Sequence, residues 1–301
     1  MTKILRSLRL NEPPGFPLVS TITAGTSIPR IIHQTYHKAP WPTGFSENVA
    51  KLKDLNPQWD YRFYDDDAAE TFIFTHYGKA VSQLYNRIGQ NYGAAKADVF
   101  RYLLLYRLGG IYLDMKSTVD RPLEHVIRPD DVFLLSHWHN KPGEQYEDWG
   151  IHSELSAIGV TEFQQWHIIC APGHPFLKAV IEMVLRNIKC YTALYGYGKS
   201  ATLRVTGPIP YTLAIAPLLS AHPHRLIDAT VEGLRYSIFD NDRSESHRGI
   251  LRSHYSQQEL IPLAKVGFTN MVLLFLRKIL RGPRRLGQRL AKLGSQQSSR
   301  A

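Results

Sequence analysis

The stretch from Ala94 to Asp114 constrains this chain more than any other. Residues 94–108 hold good helix formers, no Pro or Gly, and an apolar stripe at helical spacing. Gly109 and Gly110 follow. A glycine ends a helix at little cost because, lacking a Cβ, it enters the left-handed region without strain. Ile111-Tyr112-Leu113 then reads as a short strand of the buried kind, so Asp114 falls at a strand's carboxyl end. Open α/β sheets place ligands at that end. Asp98 and Arg101 stand three apart and share one helix face. An ordinary helix ion pair would explain them.

The rest of the chain alternates in type. Residues 30–34, 60–64, 132–136 and 166–170 read as strands. Residues 46–55 read as a helix with Ser46 as its N-cap. Further helices are expected from Asp65–Asp67 onward, over 79–87, over 175–188, and over 208–219, where Pro210 and Pro217 weaken the pattern. Residues 140–157 form a long loop of the sort that shapes an acceptor site. This alternation predicts an α/β fold, a single doubly wound, mostly parallel sheet with flanking helices. The expected organisation is a lead-in over 1–27, one catalytic domain over 28–262 and a basic amphipathic tail over 263–301. At 301 residues, with 44% hydrophobic and 21% charged, the chain can build one sizeable core.

Several segments together resemble glycosyltransferase family 32, the family of the yeast-type initiating α-1,6-mannosyltransferases and of many capsule and lipopolysaccharide enzymes. They are Ile28-Pro29-Arg30-Ile31-Ile32-His33-Gln34-Thr35, residues 56–66 ending Tyr64-Asp65-Asp66, the 94–114 segment, Ala171-Pro172-Gly173-His174-Pro175-Phe176 and, more weakly, Thr206-Gly207-Pro208. The resemblance implies a GT-A fold and a retaining hexosyltransferase that uses a nucleotide-sugar donor. It further implies that Asp98 hydrogen-bonds donor-sugar hydroxyls, that Arg101 reaches sugar or phosphate, and that Asp114 is catalytic with them. His33, Gln34 and Thr35 would form the edge that meets the nucleotide, with Asp65, Asp66 and Gly207 beside the donor. Loop polar groups, helix capping and a helix-start turn are the plain alternatives for these residues.

The family's motif after Gly-Gly-Ile-Tyr-Leu is Asp-x-Asp, two carboxylates that hold a divalent cation against the diphosphate. This chain has Asp114-Met115-Lys116. If the strand continues, its period of two puts Lys116 where the second carboxylate would be. A charged Lys cannot ligate Mn²⁺ or Mg²⁺, which take oxygen ligands. Three readings stay open: Asp114 binds the cation with help from elsewhere, such as His254, while Lys116 contacts phosphate; the Lys116 ammonium replaces the cation's charge and the enzyme is metal-independent; or the site is degenerate. His254-Tyr255-Ser256 loosely resembles the family's closing C-terminal segment.

Charge is uneven. The chain carries a formal +10, and nine basic residues with no acidic one follow Glu259. The apolar run over 266–276 is too short to span a bilayer. A short apolar patch followed by a basic stretch suits an anionic membrane surface; a solvated tail or nucleic-acid binding are the alternatives. Cys170 and Cys190 read as packing residues, and residues 1–10 show no apolar signal core. The expectation is therefore a cytoplasmic bacterial enzyme, peripheral on the inner face of the membrane. It would move a hexose, mannose ahead of glucose or galactose, to a glycan or lipid-linked acceptor in cell-surface polysaccharide or glycolipid synthesis. A degenerate sugar-nucleotide-binding relative and a basic nucleic-acid-binding protein are the competing readings.

Overall fold

The computed structural model describes residues 17–37, 40–42, 44–192, 196–239 and 263. In chain order the elements begin with β1 (Ile31–Thr35), α1 (Phe45–Leu55), β2 (Asp60–Tyr64), α2 (Asp66–Tyr85) and α3 (Gly93–Leu108). Strands β3 (Gly110–Leu113), β4 (Thr118–Val119) and β5 (Phe133–Ser136) follow, then the one-turn α4 (Ser153–Ser156) and β6 (His167–Cys170). The described part closes with α5 (Pro175–Lys189), α6 (Gly198–Val205), α7 (Pro208–Ile215), β7 (Arg225–Ile227) and β8 (Leu234–Arg235). The main sheet has the order β2-β1-β3-β6-β5-β7, and β4 pairs with β8 in a separate ribbon.

Strands β1, β2 and β3 are mutually parallel, and β5 is parallel to β7. β6 is antiparallel to both its neighbours, β3 and β5. One reversed strand in a mostly parallel sheet has a direct consequence. The start of β6 lies beside the end of β3, with Leu113 opposite His167.

Both faces of the sheet are covered. Tyr112, Phe133, Leu135, Ile168 and Cys170 enter one core with α2, α3, α5, α6 and α7. Ile111, Leu113, Leu134 and Ile169, the alternate residues, enter a second core with Ile32, Leu52 and Trp166. This is strand alternation serving two cores. Helix α3 is enclosed on every side, since Asp98 through Tyr106 are all buried. A one-sided apolar stripe was expected there. A helix lodged between a sheet and other helices has no solvent face to keep polar.

Other boundaries moved in instructive ways. Ser46 does not cap α1; Gly44 does, at φ 92°, and Ser46 lies inside the first turn. The two helices expected between Asp65 and Arg87 meet end to end across a non-helical break at Gly78, where φ is 74°. Asp65 caps it, accepting from the Ala68 N–H at 2.9 Å. The last helix stops at Ile215 and tightens into a 3₁₀ turn over Ala216–Ala221, where Pro217 removes a donor. The tail over 264–301 and His254 lie outside the described residues.

The turn between α3 and β3 leaves no room for side chains. Gly109 has φ 66°, and a Cβ there would stand 2.6 Å from Pro172 Cδ and 2.7 Å from its backbone N. Gly110 has φ 98°, and its Cβ would meet the Ile31 carbonyl oxygen at 2.6 Å. Gly143 also has positive φ (83°) but open space around it. Gly110→Ala should therefore cost about 3 kcal/mol or more of unfolding free energy, against about 1 kcal/mol for Gly143→Ala, in denaturant titrations.

Candidate active site

Helix α3, the end of β3 and the start of β6 converge on one guanidinium. Arg101 is 4% exposed. Its Nη2 stands 3.0 Å from Asp114 Oδ1 and 3.4 Å from Asp98 Oδ1. Its Nη1 donates to the Gln165 carbonyl at 2.6 Å and its Nε to the Ala97 carbonyl at 3.3 Å. The Tyr112 ring lies 4.6 Å beneath it. Burying a cation is costly unless every donor is answered, and here all three guanidinium nitrogens have partners. The two acids at its edge raise its affinity for the proton further.

Asp98 is the enclosed member of the set, 3% exposed. Its Oδ2 accepts from the Thr206 hydroxyl at 2.9 Å and its Oδ1 from Gln165 Nε2 at 3.3 Å. The Gln165 side-chain oxygen is held in turn by the Tyr102 hydroxyl. Burial outweighs the pull of Arg101 and pushes the Asp98 carboxyl up to about 6. With both oxygens taken by protein donors, Asp98 positions Arg101 in this arrangement. Asp114 is the accessible acid, its side chain 25% exposed. The site therefore runs from a buried carboxylate, through a buried cation, to a carboxylate at the surface.

Asp114 is fixed from its backbone as well. Its N–H donates to the Trp166 carbonyl at 2.9 Å. Its own carbonyl accepts from Gln34 Nε2 at 3.1 Å, and Gln34 Oε1 accepts from the Tyr61 hydroxyl at 2.9 Å. Gln34 and His33, expected at a nucleotide edge, are fully enclosed. His33 Nε2 donates to the Gly109 carbonyl at 3.0 Å, while Nδ1 faces the Tyr64 hydroxyl at 3.3 Å. Desolvation by burial lowers its pKa to about 4, so this ring is neutral. These two residues brace the glycine turn and the Asp114 backbone. Thr35 is partly exposed and donates to the Tyr64 carbonyl at 2.8 Å. Gly207 starts α7, buried against the Thr202 carbonyl.

The strand does not continue to Lys116. β3 ends at Leu113, and Asp114 to Ser117 form a turn closed by Ser117 N–H to the Asp114 carbonyl at 2.8 Å. Lys116 thus does not occupy a strand position two beyond Asp114, which corrects the expected geometry. Its ammonium stands over the Tyr236 ring at 3.6 Å. Asn48 holds the same turn through the Met115 and Ser117 carbonyls at 3.2 and 2.9 Å.

The described residues at this turn do not make a divalent-cation site. No group of three or more His, Cys, Asp or Glu side chains converges among the described residues. Asp114 already faces Arg101, and Lys116 brings a positive charge to the same turn. Gln165 and Thr206 are the site residues that sequence reasoning missed in role. Thr206 stands in the Thr-Gly-Pro segment, whereas Gln165 carries no sequence signal because only the reversal of β6 brings it here.

Residues 42–134 match the family described as glycosyltransferase sugar-binding region containing DXD motif. Over that segment the chain is similar to the DXD-type sugar transferases. It is 29% identical over 185 residues to inositol phosphoceramide mannosyltransferase 3 of Schizosaccharomyces pombe, covering 61% of this chain and 43% of that one. It is 33% identical over 183 residues to mannosyl phosphorylinositol ceramide synthase SUR1 of Saccharomyces cerevisiae, covering 60% and 40%. The initiation-specific α-1,6-mannosyltransferase of S. pombe is 28% identical over 169 residues, covering 52% and 39%. The chain thus spans less than half the length of these relatives. Among solved structures, the UDP-bound glycosyltransferase domain of the YGT toxin superposes with a TM-score of 0.49 at 9% identity, over 73% of this chain and 83% of that one. The family match, over an α/β domain with Asp114 at a strand end, bears out the family 32 resemblance and the GT-A expectation.

The raised carboxyl of Asp98 makes stability depend on pH with a definite sign. Its ordinary value is 3.8, and the folded protein holds the proton up to about 6. The folded state thus binds the extra proton between these values, and stability from this group falls as pH rises through the window. At about 1.4 kcal/mol per pH unit, wild type should lose roughly 3 kcal/mol relative to Asp98→Asn between about pH 4 and about pH 7. Denaturant unfolding of both proteins across that range checks the difference.

Proposed function

We propose that this chain is a retaining hexosyltransferase using a nucleoside-diphosphate sugar, with Asp114 and the Arg101 that holds it at the reacting centre. The observation that carries this reading is the Asp98–Arg101–Asp114 chain at the carboxyl end of β3, inside the segment that matches the sugar-transferase family. The relatives are named as mannosyltransferases, several acting on inositol phosphoceramide, and that supports mannose as the sugar and a glycan or lipid-linked acceptor.

In the reaction, the bond between the anomeric carbon and the diphosphate oxygen breaks and the acceptor oxygen takes its place. The departing phosphate takes the acceptor proton, so no separate base is required. Negative charge grows on the diphosphate as an oxocarbenium-like centre forms, and fixed positive groups lower that barrier most. Lys116, on the turn that follows Asp114, is the cation this chain supplies near the diphosphate. Asp114 presents a carboxylate whose orientation Arg101 fixes, on the side where positive charge develops in the sugar.

Membrane association belongs to the same proposal. Its support is the sequence beyond Glu259, with nine basic residues and no acidic one. No helix among the described residues is long and apolar enough to cross a membrane. Binding at the inner face of the cytoplasmic membrane would bring the active site to a lipid-linked acceptor.

Release of nucleoside diphosphate from a panel of GDP- and UDP-sugars, with Mn²⁺, Mg²⁺ or EDTA, tests the reaction. One donor should turn over, and Asp114→Ala should lower its rate by about 100-fold or more. Lys116→Asp restores the two-carboxylate spacing and should raise the ratio of the Mn²⁺ rate to the EDTA rate. Failure to turn over or bind any donor would overturn the assignment. Separately, removing residues 263–301 should abolish cosedimentation with vesicles containing anionic lipid; salt-dependent binding to DNA with no vesicle binding would favour the nucleic-acid reading instead.

A further inference from the structure

A cavity of about 250 Å³ lies beside the Asp114 turn, lined by Tyr146, Trp166 and Tyr236 together with Gln145, Gln164 and Thr230. It sits on the other side of the sheet's edge from Arg101. Gln165 and Trp166 are consecutive just before β6, and their side chains go to opposite sides. Gln165 reaches Asp98, while Trp166 joins the second core. Asp114 touches both sides, Arg101 through its carboxylate and Trp166 through its N–H. A group transfer needs two substrates on two sides of one reacting centre.

Three aromatic side chains, Tyr146, Trp166 and Tyr236, line this cavity, and further aromatic rings pack behind them. Trp138 packs edge-on against Tyr146 and Tyr236, with centroids at 4.9 and 5.2 Å. Trp149 does the same against Tyr236 at 5.7 Å, and Trp166 lies 5.8 Å from Tyr236. The loop that carries Trp138, Tyr146 and Trp149 is pinned by polar contacts. Trp138 Nε1 donates to buried Glu162 at 2.7 Å, and His152 meets the second oxygen of Glu162 at 2.5 Å. Asn140 Nδ2 donates to the Trp149 carbonyl at 2.6 Å. Lys116 holds Tyr236 from the Asp114 turn. One polar atom is left over: Trp166 is 4% exposed, and its indole N–H has no partner among the described residues.

We propose that this cavity takes the ring polyol, a pyranose or a cyclitol, that presents the acceptor hydroxyl. A sugar ring has C–H faces that pack on aromatic rings and a hydroxyl rim that needs donors and acceptors at the edge. Tyr146, Trp166 and Tyr236 supply aromatic faces, and Gln145, Gln164, Thr230 and Arg235 supply the polar groups that predominate in the lining. The cavity is below the range that holds drug-sized ligands, so it admits one ring rather than a chain. This assignment rests on the transferase reading above for its role, since that reading puts Asp114 and Arg101 at the reacting centre.

Saturation-transfer NMR with the full chain, using methyl α-mannoside and myo-inositol as probes, tests occupancy without needing turnover. The ring protons of one probe should be saturated, and that signal should fall in Tyr146→Ala. Which probe responds tells a pyranose from a cyclitol. In turnover assays with the responding probe as acceptor, Tyr146→Ala and Gln145→Ala should raise the acceptor KM, the former roughly tenfold, which is about 1.4 kcal/mol. The donor KM should stay within about twofold. Gln145 is exposed, so its replacement keeps the test alive if Tyr146→Ala misfolds. No saturation of either probe, or a donor KM that moves with the acceptor KM, overturns the assignment. Saturation without donor turnover under any condition would retain the ring site and reject the transferase reading.

Discussion

A positive charge buried at 4% exposure governs this structure. Arg101 can stay charged inside the protein only because two carboxylates, two backbone carbonyls and an aromatic face surround it. Each comes from a different requirement of the fold. Asp98 and Ala97 come from the same helix, Asp114 and Tyr112 from the strand after the glycine turn, and the Gln165 carbonyl from a strand that runs the other way. Removing one partner of such a set leaves an uncompensated buried charge, worth about 3–5 kcal/mol. The glycine turn is as tight as it is because α3 must deliver β3 within bonding distance of its own third turn.

The same reversed strand organises the opposite side of Asp114. Gln164, Gln165 and Trp166 lead into β6 at the site, and their side chains divide between the charged hub and the aromatic cavity. The long loop after β5, expected to shape an acceptor site, folds back as Trp138, Tyr146 and Trp149 pack against Tyr236. Lys116 joins the two halves, since its backbone belongs to the Asp114 turn and its ammonium lies on Tyr236. A cation in that place changes the electrostatics the family motif would otherwise create with a second carboxylate. The turn carries a positive charge on a side chain that an aromatic ring holds.

Much of this was legible in the residues. Helix α3, its glycine stop, the short apolar strand and the carboxylate at its end all follow from propensity, chain stereochemistry and strand length. The Asp98–Arg101 pair follows from helical spacing, although spacing alone could not tell a buried hub from a surface ion pair. His33 and Gln34 were found but misread: polar residues at a strand end suggest ligand contact, and enclosure turned them into braces for backbone carbonyls. Gly44 displaced Ser46 as a cap because the chain entering α1 needs a positive φ, which overrides side-chain capping preference. The extension of β3 through Lys116 failed for a similar reason, since Asn48 and the Ser117 N–H draw the chain into a turn.

By itself the sequence determined the α/β class, the placing of Asp114 at a strand end and the kinship with sugar transferases, because these depend on local stereochemistry and on residue order. Only the tertiary structure decided that β6 runs backward, that Gln165 and Thr206 hold Asp98, and that the aromatic residues of a distant loop wall a cavity next to Asp114. Those are contacts between segments far apart in the chain. They are set by which buried polar groups must find partners and by how two cores share one sheet, and no local pattern encodes that.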